Sequence, residues 1–548
     1  MLLSMTKMDI QSRLRLVSSL VFFLAFHVTA AAAPDKFWVY FIDKAGGMSI
    51  DVSPRSQERR QIRGTRAVTA YWDTKPNPEY IEALEGLGLT IHRQSRWLNA
   101  VSVSGERTTV ESVAGLRFVA KIAPVAAFGK SRFEPDKTIP PAGSFEERSL
   151  LDYGLSGNQI RLCQIEKLHD IGLTGESLLV GIMDTGFDLH HPAFAHLISG
   201  NRIIATYDFI NNDGNVEDTA NGQQSHGTAV LSAIGGYAAG SLIGAAYGAS
   251  YILAKTEIVN LEIVAEEDNW IAAAEWMDSI GVDIISSSLG YIDWYQQGQL
   301  DGNTCAITVA AQAAAQLGII VVNAAGNERT TAWGTLIPPA DGPEVIAVGA
   351  VFPNGAIAPF SSPGPTADGR IKPDVMAQGI SVWCADYRSD DYMSFNGTSM
   401  ATPLIAGGLA LIMQAHPDWN HGKIFDRLKS TASNSISPDN DYGWGIARFY
   451  DMHSLSPPSE NLFQIWPNPS IENVIFGFAA PPNSEAELAI FSAAGDQVAK
   501  FRGTVQTDTV YWRWHIGDNN PKIASGIYLA YLKTAIGRQV KKFAVVRH

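Results

Sequence analysis

The chain has 548 residues, of which 46% are hydrophobic and 18% charged, and its formal net charge is −14. That length exceeds one ordinary core and implies about two to four domains. An acidic chain lacks the basic face that phosphate binding needs, which argues against a nucleic-acid partner, and the three cysteines, Cys163, Cys305 and Cys384, match neither a disulfide framework nor a metal-ligand spacing.

Lys7, Arg13 and Arg15 precede a short apolar run at 16–26, which leads into Thr29-Ala30-Ala31-Ala32-Ala33. A charged flank, a short apolar core and a small-residue exit make 1–33 a secretory signal peptide, too short for a permanent span. Residues 34–148 read as a small α+β unit, with strands expected at 37–42, 98–103 and 116–122 and helices at 80–87 and 108–114. In the same unit Arg55, Arg59, Arg60 and Arg63 recur at helical spacing, and the expectation is a solvated helix face. The polar stretch 130–148, with Pro135, Pro140 and Pro141, reads as exposed and cleavable.

Residues 149–455 change character. Continuous apolar strands at 178–183, 319–322 and 345–348, and another opening at Ile284, alternate with helical patterns at 270–280 and 306–317. That alternation predicts an α/β fold, doubly wound, with a mainly parallel sheet covered on both faces. In such sheets ligand sites form at the carboxyl ends of the strands. Residues 456–463, rich in Ser and Pro, read as a linker, and the short alternating runs of 464–548 predict a small antiparallel β-sandwich.

The strand-end rule picks out a set of residues. Asp184 ends the 178–183 strand in Asp184-Thr185-Gly186, and Asn327 follows the 319–322 strand in Ala324-Ala325-Gly326-Asn327. Ser288, Leu289 and Gly290 follow the strand opened by Ile284, and His226 starts a helical run in His226-Gly227-Thr228. Ser399 lies in Gly397-Thr398-Ser399-Met400-Ala401-Thr402-Pro403, ahead of a run that is apolar on nearly all sides, as in a buried helix. Pro403 puts the start of that helix close to Ser399. A hydroxyl there can cap the helix, or it can be a nucleophile whose own N–H awaits an oxyanion. An acid, a base, a hydroxyl and an amide donor are the groups that acyl transfer needs.

In the order Asp, His, Asn, Ser, closed by Gly-Thr-Ser-Met-Ala-x-Pro, these motifs resemble those of the subtilisin-like serine peptidases, the subtilases. The resemblance runs from about residue 159 to about 449. It implies that Asp184 orients His226, that His226 is general base and then acid, that Ser399 attacks, and that Asn327 and the Ser399 N–H hold the oxyanion. It also implies that Ser288, Leu289 and Gly290 form one wall of the substrate cleft, with Ala324, Ala325 and Gly326 in the opposite wall. The two walls suggest an open pocket for a bulky apolar side chain. The implied substrates are proteins or peptides, and no cofactor is required for the chemistry. Bound calcium is frequent in the family; Asn211, Asn212, Asp213, Asn215, Glu217 and Asp218 concentrate oxygen ligands, although an acidic surface turn is the plainer reading.

Residues 34–148 resemble the inhibitory propeptides of that family, which would make the chain's own propeptide an intramolecular inhibitor removed by self-cleavage. The tail, through Trp466-Pro467-Asn468-Pro469, Gly526-Ile527-Tyr528 and the ending Lys541-Lys542-Phe543-Ala544-Val545-Val546, resembles the sorting domain of the type IX secretion route. That implies the secretion machinery as a partner and a secreted or cell-surface location. The competing function is a surface adhesion or binding protein that keeps a protease scaffold.

Overall fold

Seven strands form one parallel sheet at the centre of the chain. Across it they run Val375–Gln378, Val345–Val351, Ile320–Ala324, Ile284–Ser287, Leu179–Asp184, Ser250–Lys255, Ile203–Asp208. Every neighbouring pair is parallel. The five strands from Val375–Gln378 to Leu179–Asp184 are buried throughout, as their unbroken apolar sequences require when both faces are covered. Alternate residues serve alternate cores. Val180, Ile182, Ile320 and Val322 pack under the helices Ser225–Gly235 and Thr398–Ala415. Leu179, Met183, Ile285 and Val321 pack under the helices Glu267–Ile280 and Ala306–Gln316. This computed structural model describes residues 36–63, 71–126, 135–136, 149–258 and 267–454, and from 463 to 547 all but 467–469, 471–472, 481–482, 506–508, 517–522 and 536. The predicted leader, the 456–461 linker core and most of the 130–148 stretch lie outside the described residues.

Helix Thr398–Ala415 is apolar and long enough to cross a membrane, but 89% of it is buried inside the protein, so it is a core helix. Pro403 is its sixth residue, a little deeper than the first turn. A proline there removes the N–H that would bond the Ser399 carbonyl. The carbonyl instead accepts from Ser288 Oγ at 2.8 Å, across to the end of the Ile284–Ser287 strand.

Residues 36–126 form a four-stranded antiparallel sheet in the order Thr90–Ser95, Ala100–Ser104, Phe37–Phe41, Val119–Pro124. One face is covered by Ile81 and Leu84 of the helix Pro78–Gly86. From the other side of the unit, Trp38, Trp97 and Ala100 join the core built on Glu267–Ile280 and Ala306–Gln316. The strand Thr90–Ser95 was not expected, because its polar, half-exposed sequence carries no alternating signal.

The arginine helix also differs from expectation. Helix Pro54–Ile62 is capped by Ser53 Oγ and opens with Pro54, both ordinary helix-start chemistry, but Arg59, Arg60 and Arg63 are buried rather than solvated. Arg59 bonds Asp278 and donates to Val282 O at 2.7 Å. Arg60 grips both oxygens of Asp73 (2.8 and 3.0 Å) and Asp278 Oδ2 (2.7 Å), which Arg96 also reaches at 2.7 Å. Arg63 meets Gly318 O at 3.0 Å and Asp283 at 3.4 Å, and Arg55 also bonds Asp283. Apart from Asp73, their partners belong to the central unit, some two hundred residues away, so sequence spacing showed the face but not its occupant. Further along, Glu275 accepts from Ser95 Oγ (2.7 Å) and from the N–H groups of Arg96 and Trp97, both at 3.1 Å. Glu267 accepts from Trp38 Nε1 (2.9 Å), Ala126 N (3.1 Å) and Tyr295 Oη (2.6 Å).

The C-terminal region forms two antiparallel sheets, one of three strands and one of four, with a shared core that includes Phe476, Trp514, Ile490 and Phe543. Cys163, Cys305 and Cys384 are all buried and unbridged.

Candidate active site

Asp184 is the last residue of its strand and completely buried. Its Oδ1 accepts from Thr185 N (2.8 Å), Thr185 Oγ1 (3.1 Å) and His226 Nδ1 (2.7 Å). A carboxylate on Nδ1 fixes the proton there and leaves Nε2 as the basic nitrogen. His226 is second in the helix Ser225–Gly235, and the two residues after it explain how that helix comes so close to the Asp184 turn. A Cβ on Gly227 would lie 2.1 Å from Gly186 O, so only glycine fits. Thr228 Oγ1 donates to Gln224 O (2.6 Å) and accepts from Asp188 N (2.8 Å), fastening the helix to the loop beyond Asp184.

The Ser399 helix packs directly on the His226 helix. Ser399 Oγ donates to Ser288 O at 3.2 Å, while Ser288 Oγ donates to Ser399 O, so the two serines are bonded reciprocally. The Ser399 N–H lies in the first turn, where a helix supplies no acceptor of its own. Asn327 Oδ1 accepts from Thr398 N (2.9 Å) and Thr398 Oγ1 (3.0 Å). With the oxygen end so held, the amide nitrogen is the side chain's donor group, and Asn327 lines the cleft. A hydroxyl, two N–H donors and a histidine positioned by a carboxylate thus converge on the carboxyl edge of the sheet. Such a set can attack a carbonyl, accept the proton and stabilise an oxyanion.

Beside Ser399 the cleft runs between Ser288 and Gly290 on one wall and Ala324 and Gly326 on the other. Leu289 and Ala325 do not line it. Both are buried, with Leu289 in the core above the Glu267–Ile280 helix. Extended chain alternates its side chains, so when residues 288 and 290 face the cleft residue 289 faces away, and the same holds for 324, 325 and 326. Both backbone groups of Ala325 are also engaged, its N–H with Val348 O (2.9 Å) and its carbonyl with Ile337 N (3.1 Å). Sequence reading missed four lining residues: Ile292, Glu328, Ile337 and Thr398. Glu328 directly follows Asn327, and its carboxylate accepts from Thr331 Oγ1 at 2.8 Å.

In the oxygen-rich loop at 211–218 several side-chain oxygens are engaged within the protein. Asp208 and Asp218 each bind the buried Lys255 ammonium, at 3.0 and 2.9 Å, so that cation offsets one of their two charges. Asp213 and Asn215 bond backbone N–H groups within the loop. Among the described residues no group of three or more His, Cys, Asp or Glu side chains could hold a metal ion.

A family profile described as the subtilase family, peptidase S8, matches residues 175–445, and one for the peptidase S8 propeptide domain of Bacteroidota matches 36–138. The chain is 30% identical to subtilisin E of Bacillus subtilis over 380 residues, covering 69% of this chain and 86% of that protein. It is 30% identical to subtilisin J of Geobacillus stearothermophilus over 390 residues (70% and 88%), and 33% identical to subtilisin DY of Bacillus licheniformis over 288 residues (52% and 94%). The chain belongs to the subtilase family and is a serine-type endopeptidase with a propeptide domain.

Proposed function

We propose that this peptidase works through Asp184, His226 and Ser399, with an acyl-enzyme intermediate. The observation that carries the reading is the 2.7 Å Asp184–His226 bond on a helix packed against the one that bears Ser399. Ser399 Oγ attacks the scissile carbonyl as His226 Nε2 takes its proton. The Ser399 N–H and the Asn327 carboxamide stabilise the oxyanion. His226 then protonates the leaving amine, and water releases the acyl group by the same steps in reverse. Asp184, bonded to Nδ1, keeps the imidazole in the productive tautomer. A serine-directed phosphonofluoridate should attach one phosphonyl group to Ser399 of the processed protein, located by mass spectrometry. An active preparation without that adduct sinks the assignment.

The domain reading extends this scheme. Residues 1–33 direct export, 34–148 inhibit the peptidase until self-cleavage, 149–455 carry the chemistry, 456–463 link, and 464–548 sort the protein through the type IX route to the surface or medium. The propeptide match, the buried contacts between 36–126 and the central unit, and the terminal antiparallel sheets support it.

A further inference from the structure

The cleft beside Ser399 is lined by both the nucleophile and the oxyanion donor Asn327. A substrate side chain entering it therefore belongs to the residue whose carbonyl is attacked. The two walls are almost bare, since Gly290 and Gly326 contribute no side chain, and on sequence alone that suggests room for a large apolar group. The structure fills that room. Ile337 projects between the walls: a Cβ on Gly290 would lie 2.2 Å from its Cδ1 and 2.4 Å from its Cγ1, and a Cβ on Gly326 would lie 3.0 Å from its Cγ2. The cavity left measures about 10 Å3, about the space of one water molecule.

The plug cannot swing aside as a lid would. The Ile337 N–H donates to Ala325 O on one wall (3.1 Å), and the next carbonyl, Pro338 O, accepts from Tyr291 N on the other (3.1 Å). Ala340 N closes the loop onto Ile337 O at 3.0 Å. A β-branched side chain on a backbone tied to both walls has little rotamer freedom with which to make way. Forcing a ring into such a site displaces packed atoms, which close-packed structure resists.

We propose that Ile337 is the specificity-determining residue of this peptidase and restricts the residue before the cut bond to a small side chain: Gly, Ala or Ser. This rests on the assignment of Ser399 and Asn327 above. The test uses the full chain, allowed to process, and peptides identical except for Ala, Val, Leu or Phe at the residue before the cut bond, with cut positions mapped by mass spectrometry. In the native protein kcat/KM should fall at least a hundredfold from Ala to Phe. The Phe-to-Ala ratio should rise at least tenfold in Ile337→Gly, with Ile337→Ala in between. Equal cleavage after Phe and Ala in the native protein overturns the proposal, as does a ratio that neither variant moves. Failure of the catalytic assignment reads differently: peptides are cleaved while Ser399 takes no phosphonofluoridate label.

Discussion

Replacing Asp278 by asparagine tests what holds the N-terminal unit on the peptidase. Asp278 is fully buried and receives Arg59 on one oxygen and Arg60 and Arg96 on the other. The variant keeps the shape of the side chain and removes its charge, leaving three guanidinium groups crowded around a neutral amide. Removing one partner of a buried pair costs about 3–5 kcal/mol. The lower end applies here, because Arg60 retains Asp73 and Arg59 retains Val282 O. About 3 kcal/mol corresponds to roughly 150-fold in affinity. The cost arises only in the docked state, since release lets water reach the arginines. The assay is inhibition of processed enzyme by the N-terminal unit, residues 34–126, added in trans. Ki should rise by about two orders of magnitude in Asp278→Asn, with peptide hydrolysis by the uninhibited enzyme little changed. A Ki within threefold of the native value would refute the reasoning, because the ion pairs would then contribute nothing net to docking.

Two further outcomes are expected. Asn327→Ala should lower kcat by about a hundredfold or more with little change in KM; that range is the one known for this donor in a subtilisin, not one worked from this cleft. Docking should also depend on pH through Glu267, whose carboxyl burial raises from its ordinary 4.5 to about 7. Release returns it to water and lowers its pKa, so the docked state binds the proton more tightly. Docking is then strongest below the ordinary value and weakens as pH rises through about 7. The slope of log Ki between pH 5 and 8 should flatten in Glu267→Gln; an unchanged slope assigns the dependence to another group.

The central sheet was legible because its strands are buried on both faces and therefore read as unbroken apolar runs. Once they were located, Asp184 and Asn327 followed from the strand-end rule, and His226 and Ser399 from helix starts. Less local features were hidden. The arginine helix looks like a solvated face until the carboxylates of Asp278 and Asp283 are brought to it from the central unit. Leu289 and Ala325 lie within cleft segments but face the core, an alternation that a motif read as a block conceals. Ile337 carries no signal, because it matters only when its loop is hydrogen-bonded back between two walls that lie at least ten residues before it. The Thr398 contacts to Asn327 were hidden for the same reason.

Pro403 has a consequence for mechanical precision. A helix ordinarily carries its first turn on its own hydrogen-bond ladder, so fraying or bending displaces whatever sits there. Here one rung is missing, and the freed Ser399 carbonyl is moored to Ser288 at the end of a central strand. The proposed nucleophile therefore takes its position from the central sheet as well as from its own helix, which keeps the hydroxyl in register with the cleft wall.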